Sequence, residues 1–442
     1  MCRAIAQCVA GSRPVHTQRH LMASSGLVPK EPGVRAMLLS LCVNTVLSVV
    51  GCAAVVRTIP AVAQMFMQAG LFGQDLCKKD KNKVPESMGM VSGSVYLVIM
   101  FLFLSVPFGH HFINREAVPF PHAEFAEFLA TLLSICCMLF LGFADDVLNL
   151  KWRYKLFLPT LASLPLLMVY YINIGSTTVV VPRLLKSWLG LSLNIGPLYY
   201  IYMSLLSVFC TNAINIYAGI NGLECGQAIV IASSIALFNF LELGSLHSRL
   251  HLYSLWFILP FIATSCGLFY HNRYPARAFV GDTFTYFAGM TFAVVAIIGH
   301  FSKTVLLFFI PQIFNFLYST PQLFHFVSCP RHRLPKYNSS IDKMEASEAE
   351  FKMSSIKGPV LTVLRLLHKL RLVRLREGLG EDGDMCALNN LTLINLVMLV
   401  LGPQHEGKLT VKLLMLQILC TGLAFVIRYP LADLFFEPPN NR

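Results

Sequence analysis

Long apolar segments recur along this chain and limit the folds that it can adopt. From Met37 onward, ten runs of about 20 mostly apolar residues follow one another, most of them separated by short polar breaks. An α-helix needs about this length to cross the hydrocarbon core of a bilayer. The predicted spans lie near residues 37–56, 90–110, 125–145, 156–174, 196–216, 226–244, 252–270, 281–299, 304–325 and 408–428.

The composition is also typical of a membrane protein. Hydrophobic residues make up 55% of the 442 residues and charged residues only 13%, and the mean hydropathy is +0.61; a soluble domain carries about 25% charged residues. The predicted fold class is an all-α polytopic membrane protein with about ten transmembrane helices. Residues 36–442 are predicted to form a single membrane domain, with a small cytoplasmic insertion at about 325–390 between the last two helices. Residues 1–35 are predicted to be a disordered extension, or to follow from an upstream start. Their five cations and one acid also fit a targeting leader, because such segments are rich in Arg and poor in acids.

The basic residues indicate an orientation. The formal net charge of +12 is a feature of many nucleic-acid-binding proteins, but membrane proteins concentrate Lys and Arg in cytoplasmic loops. The basic loops alternate along the chain, beginning near Lys78, Lys151, Arg273 and Arg331. We therefore predict that these loops are cytoplasmic, that both termini lie on the opposite side and that nucleic acid is not a partner. None of the 13 cysteines forms a C-x-x-C pair, so neither a disulfide framework nor a zinc site is predicted.

The loops carry three further predictions. The β-branched run Thr177–Val181 predicts a small hairpin on the lumenal side. Within the insertion, an amphipathic segment near Val360–Leu375 fits a membrane surface. Two glycosylation sequons begin at Asn338 and Asn390, and because both fall on the predicted cytoplasmic side, neither is expected to be used.

Polar residues interrupt the apolar pattern at five places, all of which fall on one side when the spans are threaded alternately. Val208–Gln227 contains three Asn, three Gly and Glu224 at the end of a span. Amide side chains and glycine-loosened backbone are costly in hydrocarbon, so this stretch is expected to line a polar site at the membrane surface. The other four places are Gly73–Leu76 with Pro85–Ser87, Phe143–Asn149, Val280–Thr283 and Pro330–Arg333.

These groups have the chemistry of a phosphate site. Adjacent carboxylates such as Asp145 and Asp146 are costly at a membrane helix end unless they meet a cation or polar partners. Hard oxygen ligands suit Mg²⁺, which takes one or two protein ligands together with substrate phosphates, and Asn215 and Asp282 form such a pair. Donors for phosphate are Lys155, Arg331, His332 and Arg333.

Each group also has a purely structural interpretation. Val208–Gln227 is typical of a helix C-cap and loop, and the Asp145–Asp146 pair of a solvated helix terminus. Asp282 fits a helix N-cap, and Arg331–Arg333 a cytoplasmic anchor. The functional interpretation depends on the location of all five groups on one side.

Four strings carry a family resemblance: LGFADDVLNLKWRYKLFLPT, FCTNAINIYAGINGLE, FVGDTFTYFAGMTFAVVAIIGHFSKT and CPRHRLP. They closely resemble the polyprenyl-phosphate N-acetylhexosamine-1-phosphate transferases, of glycosyltransferase 4 type, and among these the eukaryotic members that use UDP-N-acetylglucosamine and dolichyl phosphate. The resemblance implies transfer of N-acetylglucosamine 1-phosphate to dolichyl phosphate with release of UMP, the first step of lipid-linked oligosaccharide synthesis for protein N-glycosylation. It also implies Mg²⁺ as cofactor, a multi-pass location in the endoplasmic reticulum membrane with the active site facing the cytoplasm, and a homodimer.

The resemblance also implies roles for individual residues. The Mg²⁺ ligands are Asn215 and Asp282. The residues implied for UDP-N-acetylglucosamine are Gln74, Asp75, Leu76, Glu86, Asn221, Arg331, His332 and Arg333. Those implied for dolichyl phosphate are Lys155, Val208, Phe209, Cys210, Thr211, Asn212, Ala213, Ile214, Asn215 and Ile216. The catalytic group comprises Asp145, Asp146, Asn149 and Lys155. Cys77 and Tyr217 depart from the family pattern, but neither changes a charged group.

The implied mechanism is a single displacement by the acceptor phosphate, in which Asp145 and Asp146 orient Lys155, the metal or the acceptor, or one of them acts as a general base. A two-step route through a phosphosugar intermediate on Asp145 stays open. Two other classes of protein also stay open: a nucleotide-sugar carrier, which would place its polar breaks near the bilayer midplane, and a catalytically silent scaffold.

Overall fold

The fold is a bundle of α-helices with small antiparallel sheets at its loops. The computed structural model describes residues 34–431, apart from 80–81, 114–118, 176, 182–185, 189, 191, 246, 331–332, 357 and 380–383. The helices are α1 (Val34–Gln68), α2 (Gly89–Phe103), α3 (Ser105–Ile113), α4 (His122–Leu148), α5 (Trp152–Asn173), α6 (Pro197–Ile216), α7 (Leu223–Leu241), α8 (Ser248–Asn272), α9 (Gly281–Ile298), α10 (Ser302–Phe308), α11 (Ile310–Leu323), α12 (Gly358–Lys369), α13 (Leu393–Leu401) and α14 (Glu406–Val426).

The helix lengths confirm the predicted fold class. Within the described ranges, nine helices are long and apolar enough to cross a membrane, and α10 with α11, bent by 72°, makes a tenth if the pair is one span. The first predicted span, near residues 37–56, lies within α1, which continues to Gln68 with Pro60 inside it. Proline is tolerated within membrane helices because neighbouring groups satisfy the backbone that it frees.

The helix α9 is the centre of the bundle. Every residue from Thr283 to Ile298 is buried, as expected for a helix that is apolar on all sides. It packs against α4, α6, α8 and α2, and glycine makes two of these contacts close. A Cβ on Gly142 of α4 would lie 2.7 Å from the Thr283 Cα, and one on Gly289 would lie 2.4 Å from the Thr211 Cα on α6. The polar ends of α4 and α6 are thereby drawn to the N-terminus of α9.

The sheets are confined to the connections between helices. β1 (Phe72–Gln74) pairs with β2 (Lys83–Pro85), and the predicted hairpin is present as β3 (Thr178–Val180) with β4 (Ser192–Asn194). The insertion contains a hairpin of β5 (Lys336–Asn338) and β6 (Lys343–Glu345), followed by a sheet in which β9 (Met385–Asn389) lies between β7 (Glu348–Lys352) and β8 (Leu375–Leu379). The predicted amphipathic segment forms α12, which packs on this sheet around the buried Leu364.

Candidate active site

Four helix ends bring the predicted carboxylates, amide and ammonium together. Asp145 and Asp146 lie in the last turn of α4, Lys155 in the first turn of α5, Asn215 at the end of α6, and Asp282 at the start of α9. Some of these positions are far apart in sequence: Asp282 follows Lys155 by 127 positions. Their convergence results from the packing of α4, α5 and α6 around α9.

Lys155 connects two of the carboxylates. Its Nζ lies 2.8 Å from Asp145 Oδ2 and 2.7 Å from Asp282 Oδ2. The Asp145 side chain is fully buried, and it also accepts hydrogen bonds from the Tyr286 hydroxyl at 2.9 Å and the Leu150 N–H at 3.0 Å. Both Asp145 oxygens are therefore occupied, as a buried charge requires.

Asp146 caps the central helix from outside. Its carboxylate accepts the Asp282 N–H at 2.7 Å and the Thr283 N–H at 3.2 Å, and the Thr283 hydroxyl donates to it as well. The first N–H groups of a helix lack partners within the helix and attract anions. The N-cap interpretation of Asp282 is wrong, because Val280 occupies the N-cap position and Asp146 supplies the capping oxygens.

Asn215 and Asp282 form the pair that fits a magnesium ion. The Asn215 Nδ2 donates to Asp282 Oδ1 at 3.0 Å, and a half-turn of the amide would present its oxygen at the same place. The ammonium of Lys155 contacts the carboxylates of Asp145 and Asp282, whereas that of Asp146 accepts main-chain N–H groups of α9. With all four side chains ionised, the cluster has two more negative than positive charges, which a divalent cation would balance. Oxygen donors and this charge both suit Mg²⁺.

A second group of possible ligands fits magnesium less well. The side-chain ligand atoms of Asp75, Cys77 and Glu406 lie within 4.8 Å of one another, and all three residues are buried. However, thiolate is a soft ligand that does not select magnesium, and the Lys78 Nζ already lies 2.5 Å from Asp75 Oδ2. The ammonium therefore already neutralises the Asp75 carboxylate.

Asn149 lies outside the carboxylate cluster. It ends α4 in a left-handed conformation with φ 49°, its N–H donates to the Asp145 carbonyl at 2.8 Å, and its side chain is exposed. In this geometry Asn149 is the C-cap residue of α4.

The predicted acceptor stretch on α6 has two faces. Cys210, Thr211, Ala213 and Ile214 are buried, whereas Val208, Phe209, Asn212, Asn215 and Ile216 are partly exposed. The Asn212 Nδ2 donates to the Lys155 carbonyl at 3.3 Å, which connects α6 to the start of α5. The partly exposed residues share one face of α6, while the buried ones face the bundle, where Thr211 lies against Gly289 of α9.

The predicted donor residues before α2 and α7 meet around Asn221. The Asn221 Oδ1 accepts from the Lys78 Nζ and from the Ala276 N–H, both at 2.9 Å, and its Nδ2 donates to Asp75 at 3.3 Å. Gln74 and Leu76, on either side of Asp75, are exposed. Buried side chains thus set the shape of this loop, and exposed ones remain available to a substrate.

Two further predicted donor residues are Glu86, which lies near the carboxylates of Asp146 and Asp282, and Arg333, in the segment after α11. Burial raises the pKa of the Glu86 carboxyl, and the nearby negative charges of Asp146 and Asp282 raise it further. Burial lowers the pKa of the Arg333 guanidinium. Its Nη1 is buried and has no hydrogen-bond partner among the described residues, as expected of a donor that awaits an anionic ligand. Arg331 and His332 lie outside the described residues.

Sequence reasoning missed several residues of the site. Tyr286 donates to Asp145, and Lys78 donates to Asn221. Thr283 belongs to a predicted polar stretch, but its contact with Asp146 was not predicted. Tyr286 lies four residues after Asp282, on the same face of α9, which is a signal that could have identified it. Glu406 begins the last span as a lone acid, but the sequence does not reveal its partner.

Comparisons with known proteins indicate the family of this chain. A family model described as Glycosyl transferase family 4 matches residues 128–300, the range that contains all five residues of the central cluster. Three relatives carry the name UDP-N-acetylglucosamine–dolichyl-phosphate N-acetylglucosaminephosphotransferase. The one from Dictyostelium discoideum is 45% identical over 84% of this chain and 85% of its own. That from Schizosaccharomyces pombe is 43% identical over 90% and 94%, and that from Saccharomyces cerevisiae is 42% identical over 86% and 90%.

Proposed function

This chain belongs to the UDP-N-acetylglucosamine–dolichyl-phosphate N-acetylglucosaminephosphotransferases, and we propose that it transfers N-acetylglucosamine 1-phosphate from UDP-N-acetylglucosamine to dolichyl phosphate. The products are N-acetylglucosaminyl-diphosphodolichol and UMP. The observation that carries the assignment of the site is the position of Lys155 Nζ, within 2.8 Å of both Asp145 and Asp282. This is the first step of dolichol-linked glycan synthesis.

The reaction requires positioning more than proton removal. An oxygen of the dolichyl phosphate attacks the β-phosphorus of the donor, and the bond from that phosphorus to the oxygen bridging the α-phosphate breaks. The departing UMP takes the electron pair. The second pKa of a phosphate monoester is about 6, so the attacking oxygen is already ionised at neutral pH. Catalysis then depends on alignment and on charge stabilisation.

We propose that Asn215 and Asp282 hold Mg²⁺. When bound, the ion would neutralise charge on the donor diphosphate and on the departing UMP. The support for this proposal is the pair of oxygen donors and the two unbalanced negative charges of the cluster. Asp146 accepts a hydrogen bond from the main-chain N–H of Asp282. Asp146 therefore positions the proposed metal ligand Asp282 without needing to contact the substrate.

Lys155 is proposed to bind the acceptor phosphate. Asp145 lies on its buried side, while the side chains of Lys155 and Asp282 are 20% and 26% exposed. The ammonium can therefore face a phosphate without losing contact with Asp145. Because both Asp145 oxygens accept hydrogen bonds and the side chain is buried, the geometry favours an orienting role over the nucleophile of the two-step route.

The donor site is proposed around Asn221 and Arg333. The Nη1 of Arg333, which has no hydrogen-bond partner among the described residues, offers a charge-assisted hydrogen bond to a phosphate or sugar oxygen. Leu334 packs against Gly219, where an added Cβ would lie 2.1 Å from a Leu334 methyl carbon. The segment after α11 therefore covers the loop before α7, bringing Arg333 toward the donor side.

The site lies at helix ends, which supports a transferase over a carrier. A carrier would place its polar groups near the middle of its spans, whereas Asp145, Lys155, Asn215 and Asp282 all lie in first or last helical turns. We propose that this end of the bundle faces the cytoplasm in the endoplasmic reticulum membrane, on the basis of the basic loops, and that the chain forms a homodimer, on the basis of the family resemblance.

The test of the function is transfer of labelled sugar into an organic-extractable lipid by the purified chain in detergent. Wild-type protein should transfer label from UDP-N-acetylglucosamine to dolichyl phosphate and release UMP in equal amount. EDTA should abolish transfer and added Mg²⁺ restore it. The Asp282→Asn variant should lose at least 100-fold in rate, whereas Asp384→Asn, the same change in the exposed insertion, should keep the wild-type rate. A folded wild-type protein without transfer would contradict the proposal.

The orientation has a separate test. Asn338 lies in a partly exposed sequon. If the insertion is cytoplasmic, Asn338 should carry no glycan when the chain is expressed in microsomes. A shift in mass on endoglycosidase treatment, lost in Asn338→Gln, would place the insertion in the lumen and overturn the orientation. Light scattering of the purified protein would decide between monomer and dimer.

A further inference from the structure

The last helix of the bundle, α14, is hydrogen-bonded to the loop that contains Asn221. Asn221 lies between α6 and α7, and its side chain is only 6% exposed. Among the described residues, its side-chain hydrogen bonds go to Asp75 and Lys78, before α2, and to Ala276, before α9. Its main-chain contacts come from α14, which begins 185 residues further along the chain.

Two side chains of α14 make these main-chain contacts. The Asn221 N–H donates to Glu406 Oε1 at 2.8 Å, and the Thr410 hydroxyl donates to the Asn221 carbonyl at 3.0 Å. Glu406 and Thr410 are four residues apart, so they lie on one face of the helix. Together they hold both polar groups of a single residue and leave it little freedom to shift or rotate.

The burial of Glu406 is difficult to explain by stability alone. The residue is 3% exposed, its Oε2 is buried without a hydrogen-bond partner among the described residues, and the Asp75 carboxylate is close by. Removing a carboxylate from water is costly, and well-packed apolar residues often stabilise such positions better. A buried acid at this position is therefore better explained by the location that it enforces on Asn221.

We propose, given the donor site described above, that Glu406 and Thr410 are positioning residues for UDP-N-acetylglucosamine. They fix the Asn221 peptide, and through it the direction of the Asn221 side chain toward Lys78 and Asp75. The C-terminal helix thus contributes to donor binding without contacting the donor. Neither residue belongs to the sequence stretches that indicated the site.

The test is steady-state kinetics with each substrate varied in turn. Thr410→Val removes the hydroxyl at nearly constant volume, and Glu406→Met removes the acceptor at similar length. A neutral hydrogen bond such as that of Thr410 is worth about five- to ten-fold in an equilibrium constant, and one to a carboxylate such as Glu406 about ten-fold or more. Thr410→Val should therefore raise the KM for UDP-N-acetylglucosamine about five- to ten-fold and Glu406→Met about ten-fold or more, with kcat and the KM for dolichyl phosphate within about two-fold of wild type. Binding of UDP to the purified protein should weaken by the same factor.

Conservative variants separate positioning from general damage. Thr410→Ser and Glu406→Gln keep a hydroxyl and an acceptor oxygen, so both should restore the donor KM to within about two-fold of wild type. Thr421→Val removes a hydroxyl on the same helix that contacts Ser234 instead, and it should leave the donor KM unchanged. In the double variant Glu406→Met with Thr410→Val, the rise in the donor KM should be smaller than the product of the two single rises, because both side chains hold one peptide.

The outcomes distinguish this inference from the proposed function. An active wild type whose Thr410→Val and Glu406→Met variants keep the wild-type donor KM would overturn the positioning role and leave the function intact. An equal rise of both substrates' KM values, or a loss of kcat alone, would also overturn it. A folded wild type that neither binds UDP nor transfers sugar would instead overturn the function itself.

Discussion

The carboxylate of Asp146 accepts the main-chain N–H of Asp282 at 2.7 Å, across 136 residues of sequence. This hydrogen bond joins the end of α4 to the start of α9, and it fixes the backbone of the residue proposed to hold the metal. The two adjacent acids thus make different contacts: Asp145 forms an ion pair with Lys155, and Asp146 caps the helix that contains Asp282.

We expect Asp146→Ala to lower both stability and activity. The substitution leaves two N–H groups and the Thr283 hydroxyl without their acceptor, and hydrogen bonds to a charged group are worth about 1.5–3 kcal/mol each. The midpoint of thermal unfolding in detergent should fall clearly, and transfer should fall with it. Asp384 makes similar contacts to Ser354 on the exposed insertion, so Asp384→Ala should shift the midpoint far less. Equal shifts for the two variants would show that the Asp146 cap is not specific.

Lys155→Met should abolish transfer and destabilise the chain. It leaves the buried Asp145 and the neighbouring Asp282 without their ammonium, and breaking a buried pair on one side costs about 3–5 kcal/mol. Lys155→Arg should rescue stability more than activity, because the planar guanidinium cannot place a point charge between both carboxylates. Unfolding midpoints and transfer rates measured on the same preparations check this. Wild-type activity in Lys155→Met would exclude Lys155 from the reaction.

Hydropathy and local polarity were sufficient to predict much of this arrangement. The spans follow from runs of apolar residues. The five polar stretches contain Asp145, Asn215 and Asp282, and Lys155 lies shortly after one of them; polar groups in a membrane chain usually have a function. Which group contacts which depends on long-range packing. The continuation of α1 past Pro60, the capping of α9 by Asp146, and the contact of Glu406 with Asn221 have no signal in the local sequence.

The pH dependence of stability should change in Glu86→Gln. Burial and the charges of Asp146 and Asp282 raise the pKa of Glu86 in the folded chain, whereas in the unfolded chain it titrates at about 4.3. The folded state therefore binds the proton more tightly. The stability from this proton is fully present below about pH 4 and is lost as the pH rises through the folded pKa.

Unfolding midpoints of the substrate-free protein across this pH window provide the measurement. In Glu86→Gln the unfolding midpoint should decline less steeply with rising pH than in the wild type. At neutral pH the variant should be the more stable protein. Glu350→Gln, on the exposed side of β7, is the matched control and should follow the wild-type curve. A Glu86→Gln curve parallel to that of wild type would contradict the raised pKa.

Gly289→Ala should disturb the site from within the bundle. The added Cβ would lie 2.4 Å from the Cα and 2.5 Å from the N of Thr211, and because these are backbone atoms, the helix α6 itself must move. Overpacking of this kind costs about 1–3 kcal/mol, and Asn215 lies one turn further along α6, so transfer should fall together with the unfolding midpoint. In α14, Gly422 has no atom within 4 Å of its added Cβ, and Gly422→Ala should keep activity and stabilise the chain by up to about 1 kcal/mol through helix propensity. Unfolding midpoints and initial rates of the two variants decide the matter: an unchanged midpoint in Gly289→Ala would mean that α6 and α9 do not need this close approach to hold Asn215 beside Asp282.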